Sequence, residues 1–166
     1  MQLLQNQNIF LPTGLKQQQH ISFENDLIKE IKPNSEHSKS ESKYLLPGFV
    51  DLQIYGAAGK LFSAEPTIEN IRIIEDQLLQ EGTTSFYICL ATNTPQVFNE
   101  CISVIKEYKK EARNCMGLHL EGPFINPEKR GAHVKEYIRK ASLDEIKALL
   151  DFGDGTIKMM TLAPEL

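Results

Sequence analysis

No apolar run in the chain approaches the roughly 20 residues that a membrane-spanning helix needs. The start, Met1-Gln2-Leu3-Leu4-Gln5-Asn6, lacks the basic-then-apolar pattern of a secretory leader, so the expected location is cytoplasmic and no membrane partner is expected. A Lys/Arg stripe is missing too. The 18 Lys and Arg against 22 Asp and Glu leave a formal charge of -4 and a pI near 5.6, which argues against neutralising a nucleic-acid backbone. The pair Lys109-Lys110 reads as a solvated helix face. Cysteine is scarce: Cys89, Cys101 and Cys115 are odd in number, widely spaced and without a Cys-x-x-Cys. Each thiol sits among apolar neighbours and reads as a small buried hydrophobe rather than half of a disulfide or a metal ligand. What remains is 41% hydrophobic and 24% charged, the balance of a globular chain that buries a core.

Residues 1–44 carry short apolar clusters (Ile9-Phe10-Leu11, Ile21-Ser22-Phe23, Leu27-Ile28) broken by Pro12, Gly14 and Asn25-Asp26, a pattern of short strands and turns. The polar stretch 33–43 reads as a loop or linker. Residues 45–166 form a second region in which strand-like runs at 48–55, 84–90, 116–121 and 157–162 alternate with helical patterns. The first helix starts near Thr67, sets Ile68, Ile71, Ile74, Leu78 and Leu79 on one face and stops at Gly82. The second has Thr94 as N-cap and Pro95 at its first position, then Val97, Phe98, Cys101, Ile102, Ile105 and Tyr108 at helical spacing. The third opens with a capping box, Ser142 to Glu145, ahead of Ile146, Leu149 and Leu150.

Such β-α units build either an open doubly wound sheet or a closed (β/α)8 barrel. No Gly-x-Gly-x-x-Gly follows the first strand, so a dinucleotide-binding open sheet has no support. A barrel takes roughly 250 residues, and the roughly 120 after Tyr44 supply about half of one.

Alternation along the first strand sets Asp51, Gln53 and Tyr55 on one face and Val50, Leu52 and Ile54 on the other. Polar groups at the carboxyl end of a barrel strand point to the mouth, where catalytic sites are built; alternatively they satisfy hydrogen bonds inside the barrel. The third strand ends in His119-Leu120-Glu121-Gly122-Pro123-Phe124, with His119 and Glu121 on one face and Gly122-Pro123 breaking the strand at once. A carboxylate there suits a divalent cation or proton transfer. His119 would sit deeper, as a partner of the ligand rather than a ligand. A zinc nucleoside deaminase also has His-x-Glu, but its Pro-Cys-x-x-Cys is absent. The long loop that follows carries His133 at its far end. His20 and His37 read as exposed and inert.

Leu46-Pro47-Gly48-Phe49-Val50-Asp51-Leu52-Gln53, Glu81-Gly82-Thr83-Thr84-Ser85-Phe86, the His119 to Asn126 segment, Lys129-Arg130-Gly131-Ala132-His133 and Thr161-Leu162-Ala163-Pro164-Glu165 occur in this order. Together they closely resemble the N-acetylglucosamine-6-phosphate deacetylases of the amidohydrolase superfamily. The His-Leu-Glu-Gly-Pro-Phe to Gly-x-His block is the most specific part.

The resemblance implies a (β/α)8 barrel, of which this chain is the N-terminal half. A small β-sandwich would be built from the N-terminal strands and a later return of the chain. It implies removal of acetate from N-acetylglucosamine 6-phosphate, a small amino-sugar phosphate, by a homodimer with one divalent metal ion, whether Zn, Fe, Mn or Co. By the same resemblance Glu121 is the metal ligand, and Ala132 and His133 contact substrate. Gln53 stands where the superfamily's first His-x-His has become Gln-x-Asn, which goes with a single metal; Tyr55 departs from that pattern by replacing the Asn. The two metal-binding histidines and the catalytic aspartate of the family would lie beyond Leu166. The chain is therefore expected to be truncated and inactive alone. A hydrolase of cyclic amides should show His-x-His in place of Gln53-Ile54-Tyr55. A non-catalytic half-barrel that folds by pairing is the remaining alternative.

Overall fold

The computed structural model describes residues 2–34 and 43–166. Most of the expected linker at 33–43, with His37, lies outside the described residues. The chain divides into two compact units, Met1–Pro47 and Gly48–Leu166.

The first unit is one sheet built from β1 (Gln2–Leu11), β2 (Gly14–Glu24), β3 (Leu27–Pro33) and β4 (Lys43–Leu45), in the order β3-β2-β1-β4. The β2–β3 hairpin turns on Asn25 and Asp26, both at positive φ, as a two-residue turn matching the strand twist requires. The expected short strands are in fact long, because backbone pairing continues through the polar Gln7 and Gln19. β4 runs parallel to β1, which ties Lys43, Tyr44 and Leu45 to this unit, whose compact body runs to Pro47. His20, read as exposed, is half-buried, with Nδ1 sealed from solvent and without a hydrogen-bond partner among the described residues.

The second unit contains β5 (Phe49–Ile54), the small ribbon β6 (Gly56–Ala57) and β7 (Lys60–Leu61), α1 (Ile68–Gln80), β8 (Thr83–Ala91), α2 (Pro95–Tyr108), β9 (Cys115–Glu121), α3 (Leu143–Gly153) and β10 (Ile157–Thr161). Its main sheet is wholly parallel and ordered β5-β8-β9-β10. A doubly wound sheet reverses its strand order at a switch point. Here the order follows the chain without reversal, with a helix in each crossover, and the unit is a half-barrel.

Phe86, Ile88 and Leu90 of β8 and Leu118 and Leu120 of β9 pack against Ile71, Ile74 and Leu78 of α1 and Phe98, Cys101, Ile102 and Ile105 of α2. Each fully buried aliphatic or aromatic side chain contributes about 1.5–3 kcal/mol. Leu79 and Leu150, expected on the buried helix faces, are exposed, because one residue's rotation from Leu78 and Leu149 carries them past the contact. The expected apolar face of β5 is also corrected. Val50 and Leu52 are 64% and 47% exposed and only Ile54 packs on the core, since no described element covers the other two.

Thr67 and Thr94 cap α1 and α2 by accepting from the N–H groups of Asn70 and Val97. The capping box of α3 does not form: Ser142 makes no side-chain bond, and Arg139 holds the Glu145 carboxylate instead, with Nε at 2.7 Å. A charged guanidinium outcompetes a backbone N–H for that carboxylate.

Glu75 of α1 is fully buried and ties the unit together. Its Oε1 accepts from the backbone N–H groups of Arg113, Asn114 and Cys115 at 3.0, 2.9 and 2.9 Å, and its Oε2 from the Tyr108 hydroxyl and, at 3.3 Å, Arg113 Nε. All three cysteines are unpaired, Cys89 and Cys101 buried and Cys115 partly so. Burial pushes each thiol up to about 12. Among the described residues no helix is long and apolar enough to cross a membrane.

Candidate active site

Glu121 is the last residue of β9, and alternation places His119 on the same side of the strand, one step deeper. Gly122 turns the chain away at φ +91, where a Cβ would lie 2.2 Å from Thr92 Oγ1, so only glycine fits. The Glu121 carboxylate is left at the strand ends, 18% exposed.

Three residues from two segments converge on it. Gln53 Nε2 donates to Glu121 Oε1 at 2.7 Å, and the Tyr55 hydroxyl donates to Oε2. Gln53 Nε2 also lies 3.0 Å from the Tyr55 oxygen, so the two β5-side residues hold each other as well as the carboxylate. His133, 16% exposed, brings Nε2 to 3.5 Å from Oε2. Burial first, and then the bond to Glu121, push the Tyr55 hydroxyl up to about 12 against the opposing effect of Gln53, so near neutral pH it remains a donor.

His119 is buried, with Nδ1 2.9 Å from the Leu52 carbonyl and Nε2 2.8 Å from Thr161 Oγ1. A carbonyl only accepts, so Nδ1 carries the proton and Nε2 receives the Thr161 hydroxyl. The ring ties β5, β9 and β10 beneath Glu121. Leu52 lies within the irregular stretch of β5–β8 pairing between Asp51 and Ile54, a break in the ladder beside the carbonyl that His119 reaches.

Ala132 is exposed, and the hydrogen bonds around Glu121 do not include it. Thr92 escaped the sequence reading. Only 4% exposed and just past β8, it places Oγ1 2.8 Å from His133 Nδ1 and 3.2 Å from the Glu121 carbonyl oxygen, within reach of both. Its signal was a polar residue directly following the apolar run of β8, and the structure places it one residue past the Ala91–Glu121 pair.

No protein-family model matches the chain. Over 147 residues it is 31% identical to the N-acetylglucosamine-6-phosphate deacetylase of Haemophilus influenzae, a match covering 84% of this chain and 38% of that protein. To the Homo sapiens N-acetylglucosamine-6-phosphate deacetylase it is 35% identical over 145 residues, covering 84% and 36%. The crystal structure of N-acetyl-D-glucosamine-6-phosphate deacetylase from Mycobacterium smegmatis matches with a TM-score of 0.83 at 26% identity, over 99% of this chain and 48% of that one. The chain is related to the N-acetylglucosamine-6-phosphate deacetylases.

This chain spans less than half the length of the deacetylases it matches. Among the described residues no group of three His, Cys, Asp or Glu side chains is placed to hold a metal ion. Glu121 offers the hard, anionic oxygen that suits a divalent cation, and it is a single donor where about three protein ligands are needed. The residues present thus fit one corner of a metal site, with each carboxylate oxygen oriented by a neighbour.

Proposed function

We propose that this chain is the N-terminal part of an N-acetylglucosamine-6-phosphate deacetylase. A longer protein carrying it would hydrolyse the acetamide of N-acetylglucosamine 6-phosphate to glucosamine 6-phosphate and acetate, in amino-sugar catabolism. The observation that carries the reading is the convergence of Gln53, Tyr55 and His133 on Glu121 at the strand ends of a chain similar to those deacetylases. On this reading the half-barrel is the first half of a (β/α)8 barrel of the amidohydrolase superfamily, the N-terminal sheet belongs to a small β-sandwich, and the enzyme is a cytoplasmic homodimer.

Glu121 would be a ligand of one divalent ion, Zn, Fe, Mn or Co, which when bound supplies a Lewis acid for the acetamide carbonyl and for water. Gln53 and Tyr55 hold the carboxylate, His119 braces the strands below it, and Ala132 and His133 contact the amino sugar. Tyr55 is a poor ligand itself while protonated, which favours one metal over two. With one metal ligand, the 166 residues by themselves are expected to show no turnover.

The test is metal analysis of Glu121→Gln in a chain long enough to carry the remaining ligands. Metal and acetate release are expected to be lost together. Full metal content with activity gone would move Glu121 to an acid-base role.

A further inference from the structure

We infer that Thr92 selects the tautomer of His133, keeping the ring proton on Nε2 so that the imidazole presents an N–H donor toward Glu121 and the strand-end mouth. The backbone N–H of Thr92 donates to His133 Nδ1 at 3.3 Å. An amide N–H cannot accept, so Nδ1 must offer its lone pair, and the neutral ring then carries its hydrogen on Nε2. The Thr92 hydroxyl, 2.8 Å from the same Nδ1, reinforces this when it donates there. In the opposite arrangement Nδ1–H would donate to Oγ1 while the hydroxyl donates to the Glu121 carbonyl. That would set the Nδ1 hydrogen against the Thr92 N–H, donor facing donor.

The other side of the ring agrees. Nε2 lies 3.5 Å from Glu121 Oε2, where a hydrogen attracts the carboxylate and a lone pair would repel it. The geometry is held on both partners. Thr92 is almost fully buried and fits against Gly122 only because that residue lacks a Cβ. The His133 backbone is pinned to Arg130, whose carbonyl accepts the His133 N–H at 3.2 Å and whose guanidinium donates to the His133 carbonyl. Resting on the proposed deacetylase reading, the consequence is that His133 meets the amino sugar as a hydrogen-bond donor to an oxygen, not as a base. Thr92 is its positioning residue.

The experiment is two-bond proton–nitrogen correlation on the chain labelled with 15N-histidine, in mildly alkaline buffer above the reference imidazole range. The four histidines are assigned through His133→Gln and His119→Gln. The expected pattern for His133 is a protonated Nε2 and an unprotonated, hydrogen-bonded Nδ1. Thr92→Val, which keeps the backbone N–H but removes the hydroxyl, should shift the Nδ1 resonance part-way toward that of a ring nitrogen without a partner, and Thr92→Ser should hold the original position. A protonated Nδ1, an average over both tautomers as in an unfolded chain, or an Nδ1 signal indifferent to Thr92→Val would each overturn the inference. The deacetylase reading fails separately, by absence of acetate release in a longer enzyme, and neither result decides the other.

Discussion

Glu75 offers the sharpest quantitative test of the fold. Its carboxylate collects three backbone N–H groups, the Tyr108 hydroxyl and Arg113 Nε in a fully buried position, so Glu75→Gln removes the charge while keeping the shape. Bonds to a charged acceptor are about twice as strong as neutral ones, whose net worth is about 1 kcal/mol each. Five weakened and partly compensated bonds then cost about 2 kcal/mol. Glu75→Ala strands the donors altogether and should cost about 3–5 kcal/mol, the usual penalty for breaking a buried charged network. Burial alone would raise the Glu75 carboxyl, but the bonds from Tyr108, Asn114, Cys115 and Arg113 outweigh it and hold it below its ordinary value. A depressed folded value means the stabilisation is complete above the unfolded carboxyl's range, near about 4.3, and is lost as pH falls through the folded value. The gap between wild type and Glu75→Gln should therefore narrow in acid. Urea unfolding followed by far-UV circular dichroism, at roughly neutral pH and again in acid, reads both quantities from the shift in midpoint at unchanged slope. A neutral-pH gap below about 0.5 kcal/mol, typical of an ordinary surface change, would refute the network. So would a gap that stays constant into acid.

Two further outcomes follow from packing at other points. With each thiol pushed up to about 12 by burial, Cys89, Cys101 and Cys115 should react slowly with a thiol-specific disulfide reagent in the native chain and together once it is unfolded; a rapid native phase would contradict the burial. Gly122→Ala places a methyl 2.2 Å from Thr92 Oγ1 on a backbone at φ +91, and is expected to cost about 1–3 kcal/mol. It should also move the His133 Nδ1 resonance as Thr92→Val does, and an unchanged melting curve and spectrum would contradict this.

Much of the second unit was legible from local order. Strands β8 and β9 and helices α1 and α2 announce themselves through the spacing of Phe86, Ile88, Leu90 and of Ile71, Ile74, Leu78, since side-chain periodicity is a property of neighbouring residues. Thr67, Thr94 and Pro95 marked the helix starts for the same reason. Where a group outside the motif competes, or a face finds no cover, local reading failed. The Ser142–Glu145 box was undone by Arg139, and Val50 and Leu52 looked like a core face but found no cover among the described elements.

By itself, the order of residues determined which segments become strands and helices, that Glu121 ends a strand before a Gly-Pro break, and which family of enzymes the motifs resemble. Only the tertiary structure decided that the parallel strands run β5-β8-β9-β10 without reversal, and that Gln53 and Tyr55 reach Glu121 from 68 and 66 residues away. It alone revealed Thr92 behind His133 and Glu75 beneath the start of β9. The reason is physical: periodicity and capping act over a few residues of chain, whereas a hydrogen bond between strand ends depends on which crossovers bring those ends together.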